Sequence, residues 1–233
     1  MKKINLIFGL LLISLFTFSQ DLVTFKHTNY TSTFSKSLKY PVEVEWWITK
    51  AKVQCANQLA RKDNFQPDPQ NATITNLGKD YVGSGTDRGH NMPAAENQCQ
   101  GAGVQDECFY FSNMTPQYHS LNAGDWKSVE VLERQLAVDN DSVHVWCGSL
   151  GKAKVIGSNQ VAVPTQCWKV FYVVKQKQYY AFLFDNNTNK PTGVESHKVL
   201  VGDIEKLTGF KFLSVFIQNT VHVYACSIVT GVH

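Results

Sequence analysis

The chain is 233 residues long, 43% of its residues are hydrophobic, and its formal net charge is +3. This length is enough for one sizeable core and marginal for two domains. The low charge argues against a protein that coats nucleic acid in stoichiometric amounts, because such binding needs a more basic surface. It does not exclude an enzyme that holds a few phosphates in one cleft.

The N-terminus has the pattern of a secretory signal peptide. Lys2 and Lys3 precede an apolar run over residues 4–18, and small residues follow near Gln20. The alternative is a membrane anchor, but the run is shorter than a usual membrane span. We therefore expect a signal peptide over 1–20 and a single domain over 21–233. The mature protein would then be secreted or periplasmic, without membrane contact.

The remaining elements predict an α+β fold with a mostly antiparallel sheet and one long helix. The helix starts near Asn122 and continues to about residue 137, because apolar residues recur at three- and four-residue spacing. A second helix over 199–207 would end at Gly209. Alternating or β-rich runs predict strands at 42–49, 109–112, 142–147, 168–174, 179–184, 210–217 and 221–229.

Six cysteines follow the signal-like segment, which suggests disulfides formed in an oxidising compartment. Six cysteines allow 15 pairings. Cys99 with Cys108 is the most local pair, Cys147 with Cys167 could join two strands, and Cys55 and Cys226 complete the set. The alternative is buried free thiols. No Cys-x-x-Cys pair occurs, so a zinc site is not expected.

Two motifs stand in an order that phosphodiester cleavage can use. Asp87-Arg88-Gly89-His90 contains an imidazole, which titrates near neutral pH and can act as a general base. Ser-Asn-Met-Thr-Pro-Gln follows over 112–117, and Leu121-Asn122 then precedes Trp126 and Glu130 on the predicted helix. His144 and His222, in β-rich runs, are expected to be structural.

These motifs resemble those of the DNA/RNA non-specific endonucleases, over about residues 42–212. The resemblance implies a ββα-metal nuclease fold, DNA and RNA as substrates, and Mg²⁺ as the cofactor, with Mn²⁺ as the alternative. It implies that His90 activates the attacking water and that Asn122 is the single direct protein ligand of the metal. It also implies that Glu130 orients water on the metal and that Arg134 approaches the phosphate.

Each of these roles has a plainer alternative. Asn122 could simply cap the helix, and Glu130 with Arg134 could form an ordinary i,i+4 ion pair. Arg88 would reach the same phosphate as His90 if the motif is extended, because alternate residues of a strand share a face. It could instead pair with Asp87.

Further residues are expected to support the site. Arg61 resembles the family's upstream arginine that stabilises the transition state, with Lys62 as the alternative. Asn113 and Asp87 would orient the base or the metal-side loop. Gln117 and His119 are expected to be structural, and Trp168 is expected to be buried in a core strand.

Three other functions remain open from the sequence. The chain could be an inactive member of the fold that serves as a binding module, or a phosphodiesterase of small nucleotides. It could also be a secreted, disulfide-rich binding module, although this leaves the order of His90, Asn122 and Glu130 unexplained. The preference for DNA or RNA, strandedness and oligomeric state are left open.

Overall fold

A six-stranded antiparallel sheet organises residues 21–212, the part of the chain that this computed structural model describes. Its order is β1-β2-β3-β6-β9-β10, and β4 with β5 and β7 with β8 form two further antiparallel pairs. The strands are β1 (Leu22–Lys26), β2 (Tyr30–Ser35), β3 (Tyr40–Thr49), β4 (Asp87–His90), β5 (Met114–Gln117), β6 (Ser142–Leu150), β7 (Lys154–Ile156), β8 (Val161–Val163), β9 (Gln166–Val173) and β10 (Gln178–Asp185).

Helices cover both faces of the sheet. They are α1 (Lys50–Val53), α2 (Ala72–Thr75), α3 (Ala102–Glu107), α4 (Lys127–Asn140) and α5 (Val201–Thr208). The α4 helix packs Val129 and Ala137 in the same cluster as Val145 of β6, and α5 packs Ile204 with Trp168 of β9. Because both faces are covered, β6 and β9 are buried along nearly their whole length. The predicted α+β class and antiparallel sheet are therefore confirmed.

The predicted long helix begins with an irregular turn. Leu121–Trp126 forms a π-helical turn with non-helical backbone at Gly124, and α4 continues from it to Asn140. A Cβ atom on Gly124 would lie 2.4 Å from Cγ of Pro191, so no larger residue fits without a shift of the neighbouring loop. The predicted second helix is also confirmed, and Gly209 ends it in the left-handed conformation (φ +79°).

Two predicted strands differ from the structure. Residues 109–112 do not form a strand, because Phe111–Asn113 is a turn of 3-10 helix. The apolar run is buried as expected, but burial alone does not distinguish a strand from a turn. Residues 210–212 are also outside any strand. Residues 1–20, 213–217 and 221–229, with His222 and Cys226, lie outside the described residues.

The cysteine pairing differs from both suggested pairs. Cys55 is bonded to Cys99, with their Cα atoms 5.8 Å apart. Cys108, Cys147 and Cys167 are buried free thiols, as the alternative stated above has it for these three residues. On the neighbouring strands β6 and β9, Cys147 stands opposite Lys169, not opposite Cys167. No helix within 21–212 is long and apolar enough to cross a membrane.

Candidate active site

The Asp-Arg-Gly-His motif forms β4, the first strand of a two-stranded sheet with β5. Gly89 stands opposite Thr115, and His90 stands opposite Met114. A Cβ atom at position 89 would lie 2.1 Å from Oε1 of Gln117, so the motif needs glycine between its two functional side chains. Arg88 and His90 consequently project from the same face of an extended strand. This was the geometry expected from the sequence.

Asn113 fastens the backbone that leaves His90. Its Oδ1 accepts a hydrogen bond from Met92 N at 2.9 Å. Its Nδ2 donates to the carbonyl oxygens of Met92 and Cys108, each at 2.9 Å. From the other side, Trp126 Nε1 donates to the carbonyl oxygen of His90 at 3.0 Å. These hydrogen bonds fix the end of β4 and the residues that follow it relative to α4.

The His90 imidazole is buried between aromatic rings and remains able to accept a proton. Its ring centroid lies 5.5 Å from that of Phe65 and 5.1 Å from that of Phe109. Nε2 has no hydrogen-bond partner among the described residues. Burial, reinforced by the charge of Arg61 and opposed by Asp63, lowers the pKa of His90 to about 3. The side chain is therefore neutral at physiological pH.

A cavity of about 310 Å³ is lined by Phe65 and by Asp87 and Arg88 of the same motif, while His90 itself lies behind the Phe65 ring and is not among the lining residues. The Arg88 guanidinium carbon lies 4.8 Å from the centroid of the Phe65 ring, and Arg88 Nε is buried without a partner in the described part of the chain. Arg61 also lines the cavity and donates from Nε to Asp63 at 2.6 Å. The cavity is lined by Arg61, Asp63, Phe65, Tyr81, Thr86, Asp87, Arg88 and Asn122, and Lys62 is not among them.

Asp87 connects the strand motif to Asn122. Asn122 Nδ2 donates to Asp87 Oδ2 at 2.9 Å, and His119 Nδ1 lies 2.8 Å from the same oxygen. Asp87 is therefore engaged with Asn122 and His119, and the alternative ion pair with Arg88 is not observed. The Asn122 side chain contacts Asp87 and does not cap the helix. Its Oδ1 is left without a protein donor among residues 21–212.

Glu130 and Arg134 lie farther along the helix and do not line the cavity. Arg134 Nη1 is 3.7 Å from Glu96 Oε1, and the alternative i,i+4 ion pair of Glu130 with Arg134 is not formed. Burial raises the pKa of Glu130 to about 7, with Lys169 opposing the rise and Glu133 adding to it. The charges of Arg134 and Arg61 also act on Glu130, which places it at the edge of the arginine-rich region.

A buried charge network under the site was not anticipated from the sequence. Lys169 of β9 is completely buried, and its Nζ lies 3.0 and 2.9 Å from the two carboxylate oxygens of Glu133. The same ammonium lies 4.8 Å from the ring centroid of Trp126 and 5.3 Å from that of Trp46. Burial opposes the charge, but the carboxylates around it, Glu133 foremost, raise the pKa of Lys169.

Glu96 completes this network from the loop after the His90 motif. Its Oε2 accepts a hydrogen bond from Trp46 Nε1 at 2.6 Å. Burial and the proximity of Glu133 raise the pKa of Glu96 well above its usual range, so the neutral form is favoured. In the sequence, the one available signal was Lys169 inside an otherwise apolar strand. The partners of Lys169 come from distant segments, so spacing could not identify them.

Comparison with known proteins identifies the family. The sequence model for the DNA/RNA non-specific endonucleases matches residues 11–216. The chain belongs to this family. Its relatives include the nuclease of Serratia marcescens, 34% identical over 196 residues that cover 77% of this chain and 71% of the relative. Human mitochondrial nuclease EXOG is 31% identical over 207 residues, 80% of this chain and 55% of the relative.

The fold of the family is shared as well. The crystal structure of the EndoG/EndoGI complex contains a chain that matches with a TM-score of 0.71 and 27% identity. The match covers 81% of this chain and 84% of the other. The predicted ββα-metal nuclease fold is therefore confirmed, with β4, β5 and α4 as its ββα unit. The chain spans 62% of mouse EXOG and 55% of human EXOG.

Proposed function

We propose that this member of the family is a metal-dependent endonuclease that hydrolyses phosphodiester bonds in DNA and RNA. One observation carries the proposal. A neutral imidazole, His90, has an unpartnered Nε2 and packs against Phe65, which lines a cavity together with Arg61, Arg88 and Asn122. A base, two guanidinium groups and an amide oxygen are the groups that phosphodiester hydrolysis requires.

The donor set fits one Mg²⁺ ion, with Mn²⁺ as the alternative. Within residues 21–212 no group of three or more His, Cys, Asp or Glu side chains is placed to hold a metal. A site with few protein ligands suits Mg²⁺, which keeps several of its waters. The hydrogen bond from Asn122 Nδ2 to Asp87 leaves Asn122 Oδ1 available as the direct ligand. The ion would supply charge relief for the phosphate and the leaving oxygen.

The chain's own groups divide the remaining work. His90 Nε2 accepts the proton of the attacking water, which its low pKa permits at neutral pH. Arg88 holds the phosphate from the same strand face, and Arg61, which lines the same cavity, also approaches it. Glu130, at the edge of this region, orients water by accepting hydrogen bonds, and Arg134 adds positive charge behind it.

Low sequence specificity follows from the type of contact. Arginines that bind phosphate position the substrate but carry no information about its bases. We therefore propose cleavage with little sequence preference that leaves 5′-phosphate ends. The signal-like N-terminus and the Cys55–Cys99 disulfide support a secreted or periplasmic enzyme, although EXOG and endonuclease G are named as mitochondrial. The mature chain would begin near Gln20 or Asp21.

The test uses purified protein, supercoiled plasmid and a defined RNA. Both nucleic acids should be cut in Mg²⁺ and left intact in excess EDTA. Mn²⁺ added in excess over the EDTA should restore cutting. His90→Ala should lower turnover by about 10²–10⁴-fold, the range expected for a general base, with an unchanged circular dichroism spectrum. Full activity in excess EDTA would contradict the metal-dependent mechanism. Hydrolysis of bis(p-nitrophenyl) phosphate without cleavage of either polymer would favour a small-diester phosphodiesterase.

A further inference from the structure

The segment that carries Arg61 has few supports of its own. Residues 54–65, between α1 and the isolated bridge of Gln66 with Tyr110, contain no helix or strand. Leu59 N donates to Gln98 O at 2.9 Å, and Leu59 O lies 3.5 Å from Gln105 Nε2. Most of the segment is exposed to solvent. Its path therefore depends on a small number of attachments.

The main attachment is the Cys55–Cys99 disulfide. Cys99 directly follows Gln98, so the covalent bond and the Leu59 hydrogen bond attach the segment at one place. That place belongs to the loop that leaves the His90 motif, whose backbone is held by Asn113 through Met92. The disulfide thus joins the Arg61 segment to the chain that positions the proposed base.

Arg61 cannot fix its own position relative to His90. Its ion pair is with Asp63, two residues away in the same segment, and this contact moves with the segment. Its guanidinium carbon also lies 5.5 Å from the Phe109 ring centroid, and this contact is weak at a half-exposed site. The guanidinium nonetheless lines the same cavity as Arg88 and Asn122. Its placement therefore depends on how the segment is held at its two ends, by the Cys55–Cys99 disulfide before Arg61 and by Phe65, which packs against the core, after it.

We propose that Cys55 and Cys99 are positioning residues for the reaction, because their disulfide holds Arg61 at the phosphate-binding side of the cavity. This inference rests on the proposed nuclease function. The bond does not touch the substrate. It acts through Arg61, and its removal should affect catalysis only as far as Arg61 takes part in it.

A double-mutant cycle tests the inference. The four proteins are the wild type, Arg61→Gln, Cys55→Ser/Cys99→Ser, and the combination of all three substitutions. We expect Arg61→Gln to lower kcat/KM on a defined DNA duplex by roughly 10²-fold, as for loss of one transition-state donor. Loss of the disulfide should lower it about 10-fold, because small misplacements of a positioning group are costly. In the Arg61→Gln background the same loss should be less than about twofold.

Two controls separate positioning from general destabilisation. Ile204→Val, in the core cluster beneath α5 that contains none of the cavity-lining residues, lowers stability without touching the site, and its kcat/KM at the assay temperature should stay at the wild-type level. An insertion of Gly-Ser between Leu59 and Ala60 keeps the disulfide but lengthens the segment between Cys55 and Arg61. It should reproduce the loss of kcat/KM in a protein with an unchanged circular dichroism spectrum.

Amide hydrogen exchange supplies a readout that does not depend on nuclease activity. In Cys55→Ser/Cys99→Ser, uptake over 56–64 should rise strongly while uptake over 87–92 stays at the wild-type level. Unchanged uptake over 56–64 overturns the inference even if the protein cuts no nucleic acid. Equal losses of kcat/KM with and without Arg61, or no loss at all, overturn it for an active enzyme.

Discussion

At the residue scale, the two titratable groups of the site divide the pH range between them. The pKa of His90 is lowered to about 3, mainly by burial, so the imidazole is unprotonated from mildly acidic to alkaline pH. The pKa of Glu130 is raised to about 7, again by burial. Below that pH Glu130 is neutral, and it loses the charge with which it holds water. The acidic limb of the activity profile should therefore belong to Glu130.

This assignment predicts a pH profile that a single substitution changes. In wild-type protein, kcat/KM should rise between pH 6 and 8 at fixed Mg²⁺ as Glu130 loses its proton. Glu130→Gln should be less active and should lack this rise, because the amide does not titrate. The measurement is kcat/KM at half-unit steps of pH for both proteins. A rise of the same midpoint and size in Glu130→Gln would assign the limb to another group.

Metal titrations separate Asn122 from Glu130. Asn122→Ala should weaken Mg²⁺ binding and activity together, because it removes the direct protein oxygen that we assign to the ion. Glu130→Ala should be milder, since Glu130 acts through water. Raising Mg²⁺ should recover part of the Glu130→Ala loss and less of the Asn122→Ala loss. Full rescue of His90→Ala by metal, with no rescue of Asn122→Ala, would mean that ligand and base have been exchanged.

At the element scale, α4 is held against the sheet by a buried ion pair as well as by apolar packing. Glu133 on the helix and Lys169 on β9 are both fully buried, and each is the other's charge partner. Glu130 lies one turn earlier on the same helix, and Arg134 directly follows Glu133. Any loss of this pair therefore disturbs the element that carries part of the site.

Lys169→Met should be strongly destabilising. It leaves the Glu133 carboxylate buried without its partner, which costs about 3–5 kcal/mol of unfolding free energy. Lys169→Met/Glu133→Leu should recover most of that loss, because it removes both charges. Lys175→Met, at an exposed lysine just after β9, should stay within about 0.5 kcal/mol of wild type. Urea denaturation measures all three, and a double variant as unstable as the single one would contradict the argument.

The elements also show where sequence reasoning succeeds and fails. The β3 strand and the α4 helix could be predicted because a regular apolar period persists over many residues. The turn at Phe111–Asn113 could not, because a short apolar run has no period to distinguish strand from turn. The structure brings Arg88 and Asn122 to one cavity, with His90 two residues from Arg88 on the same strand. Their catalytic roles stay predictions.

The Glu133–Lys169 ion pair could not be predicted from the sequence for a different reason. Its members lie on a helix and a strand that are distant in sequence, and each alone is an ordinary charged residue. Only tertiary contact reveals that both are buried. The same holds for Arg134, whose i−4 neighbour on its own helix is Glu130 but whose guanidinium lies 3.7 Å from Glu96, a residue of a distant loop.

At the scale of the whole molecule, the free thiols and the disulfide lie in different environments. Cys108, Cys147 and Cys167 are buried and unpaired, and burial raises the pKa of Cys167 to about 11. Protonated, enclosed thiols react slowly with alkylating reagents. The Cys55–Cys99 disulfide, in contrast, lies in partly exposed loops, whereas the free thiols lie in the core.

Alkylation should separate these two populations. In native, non-reduced protein, iodoacetamide should leave Cys108, Cys147 and Cys167 unmodified, and in urea without reductant it should label all three. Cys55 and Cys99 should react only after reduction. Peptide mass spectrometry identifies each site. A Cys147–Cys167 disulfide in the non-reduced digest would contradict the pairing described here.

The hydrogen bond from Lys50 N to Asp141 O, at 3.0 Å, has a consequence for exchanging chain segments between related proteins. It lies where β3 ends and β6 begins, and Thr49 pairs with Ser142 in the sheet. The stretch 50–141, which contains every candidate site residue, thus leaves and re-enters the sheet at one point. It could be transplanted as a block between homologous nucleases. The donor block would have to keep a carboxylate for Lys169, the ammonium that the recipient sheet supplies from outside the transplant.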